Sequence, residues 1–436
     1  MSAKVNQMSA RFVQIDRNTP MLLPVDLRDW VPEDDLVHFV IEAVDRLPLT
    51  IFKVNQRGTG SKQFPPHTLL ALLIYCYANS LFSSRKIERA TKRDVCVKYL
   101  TGGHQIDHDT ICTFRRKNFD AISEAFVDVL ELATELKLLK LGNIAIDGTH
   151  IKANASIDQN VTYQRAVEIR EQLKLDIAEL MKKAEQADQN EVDTQKLPEE
   201  IARREKLIAK MDQATEELKK RAAERDAKAK AEYEEKLAKR KEYQEQTGKK
   251  PGGKEPKEPE YGPEKSKEQC NLTDPAARIM RKNKRSGFTE SYNCQAAVDT
   301  GGTQLILGEH VSQSPSDSNQ LKKGVLCVDE RVGKVGSASV DAGYVNADMI
   351  EKVETELGIE VYCSVHREDA HSERHYDYRP REATEREPRQ VKDPRLVKMR
   401  DKLRTPEGKE IYSKRNHTVE TVFGIIKAAM GFRGFL

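Results

Sequence analysis

Long apolar runs are missing from this 436-residue sequence, and aromatic residues are scarce, at 6% with a single Trp. The longest apolar run, which begins at Leu69, is far shorter than the roughly 20 residues that cross a bilayer as a helix. Residues 1–20 also lack the charged start and apolar stretch of a secretory signal. These absences argue against a membrane or exported protein and predict a cytoplasmic one.

Paired cysteines and a strong charge imbalance are absent as well. The seven cysteines are an odd number, and no Cys-x-x-Cys pair occurs among them. This usage is typical of a reduced compartment and not of a disulfide-stabilised scaffold. Lys and Arg total 73 against 70 Asp and Glu, for a net charge of +3, which excludes a uniformly basic chain. Any contact with nucleic acid must therefore come from local clusters of positive charge.

Composition divides the chain into four zones. Residues 1–20 show little apolar periodicity, which predicts a flexible N-terminus. Residues 21–141 carry helical apolar periodicity and predict an all-α domain that binds DNA or supports oligomerisation. Residues 142–159 and 271–436 alternate strand and helix patterns, so they predict one mixed α/β domain. Residues 160–270 are rich in Ala, Glu, Lys and Arg and end in a Pro/Gly/Lys linker, which predicts an inserted helical hairpin.

Local signals give approximate bounds for the elements. Pro198 is predicted to form the turn between the two long helices of the insertion. The residues 299–302, Asp-Thr-Gly-Gly, predict a hairpin turn. The predicted helices are 36–47, 67–79, 86–99, a segment starting at 109, 122–139, 318–332, 346–357 and 411–430. The predicted strands are 143–147, 288–298, 303–311, 337–341 and 359–365.

Acidic residues at strand ends are the chemically suggestive feature. Asp147 closes one predicted strand and Asp341 closes another, and in open α/β sheets functional groups gather at the carboxyl ends of strands. Glu420 lies in the middle of the last predicted helix. Converging carboxylates bind hard divalent cations, and a pair of such ions can promote phosphoryl transfer. The pattern alone does not select these three from 70 acidic residues, since each also suits a turn or a solvated helix face.

Three motifs around these acids resemble those of the DDE transposases of bacterial insertion sequences. Residues 145–156, Ala-Ile-Asp-Gly-Thr-His-Ile-Lys-Ala-Asn-Ala-Ser, resemble the first-aspartate motif, and residues 340–344, Val-Asp-Ala-Gly-Tyr, resemble the second. The last helix resembles the Tyr-Arg-Glu-Lys signature of the family, through Tyr412, Arg415, Glu420 and Lys427. Four residues separate Arg415 from Glu420, where the commonest form of the signature has three. The resemblance spans most of residues 20–436.

The resemblance implies an RNase H-like catalytic core preceded by a helical domain. It implies that Asp147, Asp341 and Glu420 are both the catalytic acids and the ligands of Mg²⁺, or of Mn²⁺ in its place. The implied reaction is cleavage at the ends of the element, followed by attack of the freed 3′-hydroxyl on target DNA. Arg415 and Lys427 would contact phosphates near the scissile bond.

Two clusters of cations in the helical zone predict a DNA-binding surface. Arg89 lies in a basic helix, and Arg115 and Arg116 follow after a short connection, in an order that resembles a helix-turn-helix. We expect these residues to contact the terminal repeats, although an ordinary charged helix face has the same composition. The expected partners are double-stranded DNA, both element ends and target, and further copies of the chain assembled on that DNA within the nucleoid.

Two other interpretations remain open at this point. The sequence stops at Leu436, shortly after the glutamate helix, where relatives usually continue with another helix. A truncated, catalytically inactive relic that still binds DNA is therefore the alternative. A weaker third hypothesis is a coiled-coil interaction protein built on 160–247, which would require the three acids to lie far apart.

Overall fold

The computed structural model describes residues 26–54, 62–189, 197–248, 252–281, 286–365, 391 and 393–435. The chain forms two compact units, Met1–Val129 and Leu130–Leu436. The flexible N-terminus predicted for residues 1–20 lies outside the described residues. No helix within the described ranges is long and apolar enough to cross a membrane.

The first unit is helical throughout its described part. Asp35 caps the first helix by accepting a hydrogen bond from the Val37 N–H, and Pro66 opens the second, as the sequence predicts. The apolar faces of the helices form one core around Leu72, Ile87 and Ile111. The helices are α1 (Leu36–Asp45), α2 (Pro66–Ala78), α3 (Ser84–Arg93), α4 (Val95–Leu100), α5 (His108–Lys117) and α6 (Phe119–Glu135), which includes the boundary between the units.

The single helix predicted for residues 86–99 is wrong, because Asp94 divides it. The backbone of Asp94 is extended, with φ −92° and ψ 131°, and its carboxylate accepts a hydrogen bond from the Val97 N–H at 2.9 Å. An Asp that caps a new helix in this way competes with continuation of the old one. The chain therefore changes direction between α3 and α4.

The second unit is built on a mixed sheet. Its strands are β1 (Asn143–Lys152), β4 (Arg278–Met280), β5 (Thr289–Asp299), β6 (Ile306–Ser312), β7 (Ser337–Val340) and β8 (Glu360–Cys363). The strand order is β6-β5-β1-β7-β8, with β4 also paired to β5. β5 is antiparallel to β1, β4 and β6, whereas β1, β7 and β8 are parallel to one another.

β1 is longer than the sequence predicts, so Asp147 does not close it. Antiparallel pairing with β5 continues from Ile144 to Lys152, which keeps the chain extended beyond the aspartate. Parallel pairing with β7 stops at Ala145, opposite Ser339. Asp147 therefore lies in the middle of a strand, but just past the end of its parallel section.

A helical hairpin projects from this unit between residues 160 and 271. It consists of α7 (Tyr163–Gln189) and α8 (Leu197–Thr247), and the short strands β2 (Asn160–Thr162) and β3 (Gln269–Asn271) pair antiparallel at its base. Pro198 lies in the first turn of α8 and not between the helices, a position where its missing N–H costs no hydrogen bond. The base of the hairpin has its own apolar core, formed by Val161, Ala166, Met211, Ala214, Leu218 and Cys270.

The remaining helices differ from the predicted ones in length and number. The helix predicted over 318–332 is short, because Asp329 has an extended backbone and caps a separate 3-10 turn. A helix that begins at Pro394, capped by Asp393, was not predicted in the charged region 366–410. The helices are α9 (Leu321–Leu326), α10 (Ala347–Leu357), α11 (Pro394–Arg404), α12 (Pro406–Lys414) and α13 (Val419–Gly424).

The single last helix predicted over 411–430 is also wrong. After α12 the chain makes a 3-10 turn, Arg415–His417, and then breaks at Thr418, whose φ of −114° and ψ of −87° are not helical. The Thr418 hydroxyl donates to the carbonyls of Lys414 and Arg415, a local bond that competes with the regular helical pattern. Glu420 therefore lies in the first turn of α13 and not in mid-helix.

Candidate active site

Two aspartates lie side by side where the parallel pairing of β1 and β7 ends. Ala145 is paired with Ser339, and Asp147 and Asp341 each follow two residues later. Because side chains alternate along a strand, both carboxylates lie on the face of the sheet that Ala145 and Ser339 occupy. Asp147 accepts a hydrogen bond from the Gly148 N–H at 2.8 Å, and Asp341 accepts one from the Gly343 N–H at 2.8 Å.

The electrostatic environment of Asp147 is strongly unfavourable for a carboxylate. Burial, followed by the negative charge of Asp341, raises the pKa of Asp147 to about 7. The bond from Gly148 and the charge of Arg415 oppose this rise, and the charge of Asp317 adds to it. A cation placed next to a carboxyl with such a raised pKa would stabilise the ionised form of that carboxyl.

Arg415 connects Asp147 to Glu420. Its Nη1 lies 3.7 Å from Asp147 Oδ2, and its Nη2 lies 3.1 Å from Glu420 Oε1. Burial acts to lower the pKa of this arginine, but the charges of Tyr412, Asp147, Glu420 and Asp341 together raise it above the usual value. The side chain is only 10% exposed, and its buried Nε has no hydrogen-bond partner among the residues that the structure describes. Asp147 and Glu420 therefore both lie within 4 Å of this guanidinium, and the charge of Asp341 acts on it as well.

The packing of α13 explains why Glu420 reaches this place. Val419 and Val422 are buried against Ala145, Ala296 and Val298 on the sheet. This contact holds the first turn of α13 over β1, on the same face as Asp147. Glu420 itself remains open to solvent, with 52% of its side chain exposed.

The acids do not form a ready metal site in this conformation. Among the residues that the structure describes, no three carboxylate, imidazole or thiol groups are grouped closely enough to hold a metal ion. The guanidinium of Arg415 lies between Asp147 and Glu420 and accounts for part of their separation. The donor chemistry nevertheless suits a hard cation, since every nearby acid offers carboxylate oxygen.

Lys427 lies against β1 beyond the aspartate. Its Nζ donates to the Thr149 hydroxyl and, at 2.9 Å, to the His150 carbonyl. It follows Glu420 on a π-helical turn, Ile425–Ala429. The ammonium group is therefore held next to the strand that carries Asp147.

Four residues near the acids were not singled out from the sequence. Asp317 follows β6, and its Oδ1 accepts hydrogen bonds from Asn293 Nδ2 at 2.8 Å and from Gln295 Nε2 at 2.7 Å. The hydroxyl of buried Tyr344 donates to the Gln295 side-chain oxygen. The available signal was in β5, where Asn293 and Gln295 lie two residues apart on one face of the strand, just before the apolar residues 296–298.

The cations predicted to bind DNA in the first unit differ in their exposure to solvent and in their side-chain contacts. Arg89 and Arg116 are exposed on α3 and α5. Arg115 is half-buried, and its Nη1 donates to the Tyr77 hydroxyl at 2.7 Å. Lys92 is paired with Glu88 at 2.8 Å. Arg89 and Arg116 thus present their charge to solvent, while Arg115 is held in the packing of the unit.

Comparison with known protein families gives two matches. Residues 25–117 match a model described as a transposase domain (DUF772), and residues 259–435 match a model described as a transposase DDE domain. The second match contains Asp341 and Glu420, and Asp147 lies before it. Comparisons with curated proteins and with solved structures gave no match.

Proposed function

The chain belongs to the DDE transposases of insertion sequences, and from this premise we propose its reaction and its catalytic residues. It binds the terminal inverted repeats of its element, cleaves DNA strands there with Mg²⁺, and joins the freed ends to target DNA. Asp147, Asp341 and Glu420 are the catalytic acids. One observation carries this proposal: Arg415 lies 3.7 Å from Asp147 and 3.1 Å from Glu420, and Asp341 follows the strand that pairs with the strand of Asp147.

The fold around these acids supports an RNase H-like core. Three antiparallel strands, β6, β5 and β1, are followed across the sheet by the parallel strands β7 and β8. In such an order the first strand lies at the centre and carries the first acid, and the next parallel strand places a second acid beside it. The helical hairpin of residues 160–270 is then an insertion after the first strand of that core.

The acids fit Mg²⁺, or Mn²⁺ in its place, by their donor chemistry and their mutual repulsion. Asp147, Asp341 and Glu420 would hold the ion through carboxylate oxygens, which hard cations prefer. When bound, such an ion lowers the pKa of an attacking water or 3′-hydroxyl and stabilises the leaving oxygen. Because the pKa of Asp147 is raised to about 7, its carboxyl would release a proton near neutral pH when a cation binds in place of that proton.

Arg415 contacts the acids in the free protein and would contact a phosphate of the DNA in the complex. A guanidinium binds carboxylate and phosphate with the same forked geometry, so it can exchange one for the other. As Arg415 turns to a DNA phosphate, Glu420 is released to approach Asp147. Lys427, anchored beside Thr149, provides a second positive charge near the scissile phosphate.

The first unit contributes DNA binding through Arg89 and Arg116, with Arg115 in a mainly structural position. Exposed arginines suit phosphate contacts and base edges, and the salt dependence of binding reports how many phosphates they neutralise. The unit also serves assembly of further copies of the chain on DNA. The coiled-coil alternative gains no support, because Asp147 and Glu420 both lie within 4 Å of Arg415 and Asp341 follows the strand paired with that of Asp147.

A cleavage assay tests this function directly. The substrate is DNA carrying the terminal inverted repeats that flank the gene, incubated with Mg²⁺ or with EDTA. We expect Asp147→Asn, Asp341→Asn and Glu420→Gln each to lower the cleavage rate at least 10³-fold, because each removes an acid from the reacting centre, while end binding in EDTA stays within a few-fold. Asp109→Asn, an exposed change in the first unit with 88% of its side chain accessible, is the matched control. Cleavage by the three variants at the rate of the control would refute the assignment.

A further inference from the structure

A groove of about 500 Å³ lies beside the carboxyl end of β8, and α11 and α12 form its walls. α11 is fixed on β8, because Met399 is buried there and Lys402 Nζ donates to the Val361 carbonyl at 2.9 Å. The extended backbone of Thr405 separates the two helices, and its hydroxyl caps α12 by accepting a hydrogen bond from the Gly408 N–H at 3.0 Å. The groove is therefore built by regular elements of the second unit.

The charge of this groove is positive. Arg400, Arg404 and Lys409 line it, and no acid is among the described residues that do so, hence the name basic groove. Arg400 contacts Asp401 at 3.0 Å. Arg404 and Lys409 are exposed, and neither forms an ion pair with any residue that the structure describes.

Other cations of α11 and α12 are balanced by acids. Three of them each have a carboxylate partner: Arg395 pairs with Glu351 at 2.6 Å, Lys402 with Glu360 at 2.9 Å and Lys414 with Glu410 at 3.2 Å. The positive charge that these pairs leave unbalanced is thus concentrated on the side of the helices that faces the groove. Such a concentration of charge in a cleft attracts a polyanion.

The basic groove adjoins the catalytic acids proposed above. Cys363, the last residue of β8, is paired with the last residue of β7, so that Ser364 in the groove follows it beside Asp341. The Cys363 thiol donates to the Asp341 carbonyl at 3.5 Å. Asn416 also lines the groove, and its Oδ1 accepts a hydrogen bond from Arg415 Nη2 at 3.2 Å. A chain of phosphates in the groove would therefore continue towards these acids.

Resting on the proposed function, we infer that the basic groove binds the backbone of the DNA strand that carries the scissile phosphate, next to that phosphate. Arg404 and Lys409 contact its phosphates, which positions the strand without reading its sequence. The ring of Tyr412 lines the groove as well, and bases stack on such rings. Continuity with the acids favours DNA over an acidic peptide, because the proposed substrate is itself a chain of phosphates.

Binding of a single strand by the full-length protein in EDTA tests this inference without cleavage. The probe is a short labelled oligonucleotide that lacks the repeat sequence, followed by fluorescence anisotropy over a salt series. The double variant Arg404→Gln/Lys409→Gln should bind more weakly, and its salt slope should fall by about 1.4, which is about 0.7 for each of two phosphate contacts. Lys352→Gln/Lys398→Gln, which removes the same charge from exposed positions outside the groove, is the matched control and should keep the wild-type slope.

Repeat DNA tests the position of the strand. A methylphosphonate neutralises one phosphate, and it is placed in turn at each position that flanks the cleavage site. At one or more positions it should weaken binding by the wild type and leave binding by the double variant unchanged, because the contact is already lost there. If every methylphosphonate weakens both proteins equally, the groove does not hold this strand and the inference is wrong.

Three other results would also overturn the inference, and none of them depends on catalysis. The first is a double variant with the salt slope of its control. The second is labelled polyglutamate that binds the wild type as tightly as the oligonucleotide does and loses affinity equally in the double variant, which would assign the groove to an acidic peptide. The third is a double variant that melts well below the control, since the two charges would then serve folding. Failure of the proposed function has a different signature, namely cleavage that survives Asp147→Asn.

Discussion

The unusual state of Asp147 leads to a prediction about stability in the absence of metal. Its pKa is raised from 3.8 to about 7 by burial and by Asp341, so the folded protein keeps a proton that the unfolded chain releases. The stabilisation from this proton is complete below the unfolded pKa, declines as pH rises, and is lost above about pH 7. Stability of the wild type should therefore fall between pH 4 and pH 7 through this one group.

Asp147→Asn removes the titration while keeping the shape of the side chain. One pKa unit corresponds to about 1.4 kcal/mol, so the interval from pH 5 to pH 7 accounts for about 3 kcal/mol. The free energy of unfolding of the Asn variant, relative to that of the wild type, should therefore be about 3 kcal/mol higher at pH 8 than at pH 5. In a unit of this size the gain is roughly 6 °C or more in melting temperature.

The measurement is thermal and urea unfolding of the full-length proteins in EDTA at pH 5 and pH 8. Asp109→Asn, at an exposed position, serves as the control and should follow the wild type at both values within about 0.5 kcal/mol. If the Asp147→Asn and wild-type stabilities change in parallel with pH, Asp147 does not carry a raised pKa, and the electrostatic account of the site is wrong.

Two further predictions concern Gly148, next to Asp147, and the DNA contacts proposed for the first unit. Gly148→Ala places a Cβ 2.6 Å from Asp317 Oδ1, so it should lower the free energy of unfolding in urea by about 1–3 kcal/mol and disturb Mn²⁺ binding. Gly142→Ala, which has open space around it, is the control and should change neither property. Equal stability of the two variants would contradict this prediction. Arg89→Ala and Arg116→Ala should each weaken binding to end DNA and reduce its salt slope by about one, as measured by fluorescence anisotropy over a salt series, and an unchanged slope would remove them from the interface.

The proximity of Asp147 and Asp341 could be predicted from the sequence. Two short apolar strands each ended in an acid, and parallel strands that end together bring such residues side by side. Although β1 proved longer, the reasoning survived, because what places Asp147 beside Asp341 is the end of the parallel pairing at Ala145 and Ser339. The extension of β1 depends on β5, whose paired residues lie about 140 positions further along the chain, and local patterns carry no information on such a partner.

The position of Asp317 near the acids could not be predicted from the sequence, for a related reason. Its neighbours in sequence are serines and an asparagine, a composition typical of a surface loop. Its environment depends on amides on β5 and on the absence of side chains at Gly148 and Gly343, which are tertiary features. The alternating Asn293 and Gln295 were the only trace, and they identify a polar face without naming what it contacts.

The spacing of the last motif shows how a break in a helix can preserve a contact. In the commonest form of the signature three residues separate Arg from Glu, and residues four apart lie on one face of a helix. Arg415 and Glu420 are five apart, which on a continuous α-helix places them about 140° apart. The 3-10 turn Arg415–His417 and the non-helical Thr418 absorb the extra residue, and the two side chains meet at 3.1 Å. The interruption that made the single predicted helix wrong is therefore the feature that brings Glu420 to Arg415.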